Sequence, residues 1–178
     1  MKTYAGIGSR NTPPAPLEQM TVLAQLASQN DWMLRSGGAI GADSAFEIGC
    51  DINNGSKEIF LPWKGYNNNR SLLVECDNEA AQRIASTIHK RWSMLSQGAK
   101  KMMTRNVQQI LGQDLKHPVD CVICYTDDGC ESIEKYSAKT GGTGLAISLA
   151  SVRDIPIFNL KNNLRYEDAE HFLLHFRR

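Results

Sequence analysis

Apolar residues along this chain change their spacing at regular intervals, and the changes predict strands and helices in alternation. Thr3 to Ile7 is an almost unbroken apolar run that reads as a central strand. Leu17, Met20, Leu23, Ala24 and Ala27 then recur at helical spacing after Pro13-Pro14, which cannot continue a strand but suit a helix start. A second strand is expected at Trp32 to Arg35 and a second helix from Asp43 to about Asn53, where Asn53-Asn54-Gly55 stops it. Glu58 to Leu61 predicts a third strand. Ala81, Ile84, Ile88, Trp92 and Leu95 form one apolar stripe and predict a single helix; Met103, Val107, Ile110 and Leu111 predict the next, ending near Gly112. Val119 to Tyr125 is the most hydrophobic strand candidate. Gly144 to Val152 reads as a small-residue helix, Ile155 to Asn159 as a last strand, and Tyr166 to Phe176 as a terminal amphipathic helix.

This alternation predicts an α/β fold, a mostly parallel sheet with helices on both faces, formed as a single domain over residues 1–178. In such sheets ligands bind beyond the carboxyl ends of the strands. Three glycine-dense loops are expected there: Gly6-Ile7-Gly8-Ser9-Arg10, Ser36-Gly37-Gly38-Ala39-Ile40-Gly41-Ala42-Asp43, and Gly141-Gly142-Thr143-Gly144. The middle loop joins a strand to a helix, the geometry that assembles an anion site from backbone N–H groups and a helix N-terminus. Neither the third glycine of a dinucleotide fingerprint nor the Gly-Lys-Ser/Thr of a Walker loop is present, so the pattern speaks for phosphate in general rather than for NAD or ATP hydrolysis.

Composition narrows the picture further. Hydrophobic content of 42% and charged content of 22% are ordinary for a globular chain of 178 residues. A net charge of +1 provides no strong basic field, which suits a small anionic ligand at least as well as a polymer. No run approaches the length of a membrane span, and no signal peptide precedes the first strand, so no membrane partner and a cytoplasmic location are expected. Among the five cysteines, Cys121 and Cys124 have redox spacing but lie inside an apolar run, which reads as buried thiols; Cys130 falls in a loop and is expected nearer the surface.

Several side chains stand out beside the glycines. Arg10 follows a strand end and is placed to clamp a phosphate bidentately. Arg105-Asn106 lies within a helical pattern where asparagine is a mediocre former, pointing to a specific hydrogen-bonding task. Asp43 and Glu47, four apart, share a helical face just beyond the glycine turn. Either Asp43 caps the turn, or the pair receives ribose hydroxyls, or Glu47 acts as acid or base on a nucleotide. Asp127, Asp128 and Glu131 read as a solvated turn, and His171 with His175 as an ordinary helix face without a third metal ligand. Trp63 and Tyr66 fall in a polar loop after the third strand, where they either stack a base or pack beneath the loop. No metal or cofactor is called for.

With these residues in view, the chain resembles the DprA/Smf-type proteins of the SLOG group, which also includes the LOG (lysine-decarboxylase-like) phosphoribohydrolases. Gly6-Ile7-Gly8-Ser9-Arg10 is similar to the opening Gly-Ser-Arg element. Ser36 to Asp43 resembles the Ser-Gly-x-Ala-x-Gly-x-Asp signature, and Arg105-Asn106 the helical Arg-Asn pair. Gly142-Thr143-Gly144 through Asn159 resembles the Gly-Thr helix and final strand. The resemblance implies a Rossmann-like, doubly wound core that binds nucleotide phosphates or single-stranded DNA and often forms homodimers or higher homo-oligomers. It implies ligand contacts from Gly8, Ser9, Arg10, Ser36, Gly37, Gly38, Gly41, Asp43, Arg105, Asn106, Gly141, Gly142, Thr143 and Gly144. The chain departs from the group at Glu47, where DprA proteins usually carry histidine, and at Val107, where a further arginine is usual. At Leu145 and Ser148 the threonine and glutamate of the LOG motif are replaced. The expectation is a nucleotide-binding protein. The enzymatic alternative is a nucleotide N-glycosidase using Glu47, and a third reading is DprA-type binding of single-stranded DNA.

Overall fold

A computed structural model describes residues 1–74 and 78–177. Five strands form one all-parallel sheet: β1 (Lys2–Gly8), β2 (Trp32–Ser36), β3 (Lys57–Ile59), β4 (Cys121–Tyr125) and β5 (Ile157–Asn159). Their order is β3-β2-β1-β4-β5. Six helices connect or flank them: α1 (Pro14–Gln29), α2 (Ala42–Ile52), α3 (Glu79–Ile88), α4 (Gln97–Leu111), α5 (Gly144–Ser151) and α6 (Arg165–His175). The chain winds outward from β1 in one direction, then returns to lay β4 against the other side of β1. That reversal is the doubly wound, Rossmann-like topology expected from the alternation.

Side-chain alternation in the strands divides the core into two layers. Tyr4, Leu34, Cys121 and Ile123 pack under α1, α2 and α6; Ala5, Ile7, Val122 and Cys124 pack under α3, α4 and α5. Tyr4 lies edge-on to Trp32 and Phe46, and the buried Trp32 indole N–H donates to Leu173 O at 2.9 Å, which docks α6 on the sheet. No helix among the described residues is long and apolar enough to cross a membrane.

Three expectations change. The stripe from Ala81 to Leu95 is not one helix: α3 ends at Ile88, and Trp92 to Met94 form a separate 3-10 turn. His89 leaves the helix in an extended conformation, its ring edge-on to Tyr136, while Trp92 sits beneath the ammonium of Lys100 from α4. Tertiary contacts end the helix where the sequence carries no glycine or proline to do so. The third strand stops at Ile59; Phe60 keeps one bond to Ser36 O, and Leu61 turns away to bridge Val74. Cys130 is buried rather than near the surface, donating from Sγ to Ser132 O at 3.3 Å beneath the loop that Asn159 organises. Cys76 lies outside the described residues.

Candidate functional site

The carboxyl ends of β1 and β4 part at the point where the strand order reverses. Gly8 pairs with Tyr125, and Ser9 N–H extends the ladder by one bond to Tyr125 O at 3.0 Å. Beyond that bond the two chains diverge, Ser9-Arg10 on one side and Thr126-Asp127 on the other. A cavity of about 530 Å³ opens between them. Its second wall is α4, through Ala99, Met102, Met103 and Asn106. Its third is the loop from Lys139 to Thr143 that leads into α5, with Ala146 behind. The volume falls in the usual range for small-molecule sites, roughly 300–1,000 Å³.

The floor is built by α4 and the middle glycine turn. Ser96 caps α4 by accepting from Ala99 N at 3.2 Å, and Gly112, at φ 78°, ends it. The buried half of this helix carries Arg105, Asn106 and Gln109 towards the turn after β2. Arg105 Nη1 lies 3.4 Å from Asp43 Oδ2, both side chains about one-twentieth exposed. Asp43 also accepts from Ala39 N at 3.2 Å. In the amide orientation that satisfies both its ends, Gln109 accepts from Gly37 N (3.0 Å) and Arg105 Nη1 (2.8 Å) and donates to Asn106 Oδ1 (3.1 Å). Asn106 in turn donates to Gly142 O at 2.8 Å, tying the third glycine loop to the same helix. One hydrogen-bonded chain therefore joins the second loop, α4 and the third loop.

This network redefines the middle glycine turn. Ser36 Oγ donates to Gly6 O at 2.7 Å, Gly37 N–H bonds Gln109, and Gly38 O accepts from Asn67 at 2.9 Å. Ser36, Gly37, Gly38 and Gly41 do not line the cavity. Gly37 is small because the Arg105 guanidinium occupies the space a Cβ would take. Gly41, at φ 83°, adopts a backbone that other residues rarely reach, with the Ser9 and Arg10 carbonyls pressed against it. α2 itself has no side-chain cap; Asp43 accepts instead from the Ala39 N–H of the turn, the loop-capping alternative weighed in the sequence. Gly144 is likewise buried, against Tyr136.

Burial pushes the Asp43 carboxyl above its ordinary range, against the pull of Arg105 and the Ala39 N–H. Burial lowers Arg105; Asp43 offsets that, and the nearby positive charge of Arg10 adds to it.

Glu47 does not reach this cavity. It lines a separate cleft with Lys57, Asn69 and Arg70, where Lys57 Nζ stands 3.7 Å away and Asn69 Nδ2 3.2 Å away. Burial raises its pKa, with Lys57 and Asn69 opposing the rise. One helical turn separates it from Asp43, yet Asp43 faces α4 and Glu47 faces the edge of β3. The two carboxylates do not converge. Tyr66 packs beneath its loop, edge-on to Trp63 at a centroid distance of 5.1 Å, and its hydroxyl accepts from Arg10 Nη2 at 3.3 Å.

The third loop carries what sequence reading missed. Lys139 and Thr140 join the cavity wall, and Thr140 is fixed by donating to Asp128 at 2.6 Å, with Ser137 donating to the same carboxylate at 3.0 Å. Of the acidic turn, Asp128 thus holds the loop, Glu131 pairs with Arg165 at 2.9 Å, and Asp127 alone faces the cavity. Met103, read in the sequence as part of a helical apolar stripe, supplies the apolar wall together with Met102. The 3-10 turn Gly141–Thr143 runs straight into α5, and neither has a side-chain cap or an acidic residue in its first turn, so the positive end of this helical segment lies at Gly141 on the cavity wall.

Fold and site together define a Rossmann-like α/β protein with a mixed polar and apolar cavity at its topological switch point. The chain matches no family model, no curated protein and no solved structure.

Proposed function

We propose that this protein binds a nucleotide or nucleotide-derived ligand in the cavity between β1 and β4. Its phosphate lies against Arg10, Lys139 and the open start of α5, and its base lies against Met102 and Met103. The observation that carries the reading is the charge and surface of that cavity. Three cations (Arg10, Arg105 and Lys139) stand against two carboxylates (Asp43 and Asp127), next to a wall of thioether and methyl groups. A helix start without its own carboxylate adds partial positive charge where the glycine loop lets a ligand approach the backbone. Methionine side chains adapt to flat apolar partners and make favourable contacts with aromatic rings. The four segments that resemble DprA- and SLOG-type proteins all contribute to these walls, which supports the same reading.

Glu47 does not enter the reading, because it opens into a different cleft. Thermal shift against a panel of ribo- and deoxyribonucleotides, with chromatography for released base, tests the proposal. Stabilisation by nucleotides and not by nucleosides, without base release, is the expected result. Base release abolished by Glu47→Gln would overturn it in favour of a glycosidase.

A further inference from the structure

The polar side chains around the cavity are unequally available to a ligand. Asp43, Arg105, Asn106 and Gln109 are committed to one another and to the loops. Thr126 Oγ1 takes the Cys130 N–H (3.1 Å) and the Asn159 amide (2.7 Å), and Thr140 is held by Asp128. Among the described residues that line the cavity, the charged groups with little or no protein contact are Lys139, Arg10, whose contact is the Tyr66 hydroxyl, and Asp127.

Two of these are cations, which the proposed phosphate answers. Asp127 is the reverse case: an ionised carboxylate that can only accept hydrogen bonds, on the wall of a site that otherwise favours anions. A phosphate close to it is repelled. The ligand must therefore present hydroxyl or amine donors at Asp127 while keeping its phosphate near Arg10. Gly8 and Tyr125 are the last paired rung, and Arg10 and Asp127 each follow it by two residues, on opposite sides of the cavity mouth. The wall proposed for the base, Met102 and Met103, belongs to α4 and not to either of these segments. With the phosphate at Arg10 and the base on α4, the part of the ligand left to face Asp127 is the sugar.

Resting on the nucleotide reading above, we infer that Asp127 is a specificity-determining residue that accepts hydrogen bonds from a ribose diol, so that the cavity selects ribonucleotides over deoxyribonucleotides. A carboxylate accepting from a hydroxyl forms a charge-assisted bond, among the stronger kinds. The 2′-deoxy sugar cannot make it.

The test is calorimetric titration of AMP, GMP, CMP and UMP and their 2′-deoxy counterparts into the wild type, Asp127→Ala and Asp127→Asn. Asp127 is exposed and its side chain holds no other described residue, so unchanged melting temperatures are expected for both variants. Each ribonucleotide that binds should do so about tenfold more tightly than its deoxy form, the scale of one hydrogen bond to a charged group. Asp127→Ala should weaken the ribonucleotide to the deoxy level and leave the deoxynucleotide unchanged. Equal affinity for ribo and deoxy forms overturns the inference while leaving nucleotide binding standing. So does a preference for GMP over the other bases that vanishes in Asp127→Ala, since it would put the carboxylate on a base edge. No binding of any nucleotide overturns both.

Discussion

The Arg105 guanidinium fills the space in which a Cβ of residue 37 would stand, so Gly37 and Arg105 are two halves of one fitted contact. The glycine of the signature-like turn is thereby explained by a side chain on α4, far along the chain. Gly37→Ala is expected to push Arg105 off Asp43 and Gln109 and to destabilise the fold by about 2 kcal/mol or more, combining overpacking with disruption of a buried pair. Urea denaturation measures it; a change below about 0.5 kcal/mol, the range of an ordinary surface substitution, would mean that the guanidinium has room to move.

Gly142 gives the contrasting case. A Cβ there would meet only Met103 Cε, at an ordinary 3.5 Å. Gly142→Ala is expected to leave stability within about 0.5 kcal/mol of the wild type. Nucleotide affinity should nevertheless fall, because the added methyl group projects beside Met103 on the proposed base wall. Paired denaturation and titration experiments separate the two effects.

Asp43 and Arg105 should behave as a unit. Asp43→Asn leaves a guanidinium buried without its counter-charge, and a loss of about 3–5 kcal/mol is expected. Adding Arg105→Met should recover part of that loss, giving a coupling of about 1–3 kcal/mol in a double-mutant cycle. Additive effects would show that the 3.4 Å approach carries no mutual stabilisation.

Glu47 predicts a pH effect rather than a catalytic one. Its folded pKa is raised by burial above the ordinary 4.5, so the native state holds its proton more tightly than the unfolded state does. The stability this contributes is complete below the ordinary value and is lost as pH rises through the raised one. Glu47→Gln should therefore gain stability relative to wild type as pH is raised from about 4.5 through the neighbouring range, with nucleotide affinity unchanged. A flat difference across that range in denaturation curves would contradict the burial argument.

Arg10 and Lys139 are expected to act on affinity alone. Each substitution to alanine should weaken binding of a 5′-nucleotide about tenfold and reduce its salt dependence, without lowering melting temperature. Both side chains are exposed, and the sole described side-chain hydrogen bond of either is the one from Arg10 to Tyr66. The melting temperatures of the unliganded variants serve as the control, since a change there would place the two side chains in the fold rather than at the ligand.

The chain's own pattern determined the strand and helix order, the two-faced sheet and the gathering of glycine loops at its carboxyl edge. Period-two and period-3.6 spacing are local properties, and right-handed crossovers leave few ways to assemble them. The special character of Asn106 was also legible, as a weak helix former that turned out to hold Gly142 O. What the sequence could not determine was where each polar group points. Asp43 and Glu47 share a helical face by spacing, yet one is drawn to Arg105 and the other to Lys57. Ser36, Gly37 and Gly38 read as a phosphate cradle, yet Ser36 bonds Gly6, Gly37 makes way for Arg105, and Gly38 bonds Asn67. Asp127 read as part of a solvated turn until the sheet brought its loop and that of Lys139 to one cavity. Hydrogen-bond and charge partners lie tens of residues apart and compete for the same groups. Spacing along the chain decides which elements form, but only packing in three dimensions decides which donors meet which acceptors and which are left facing a ligand.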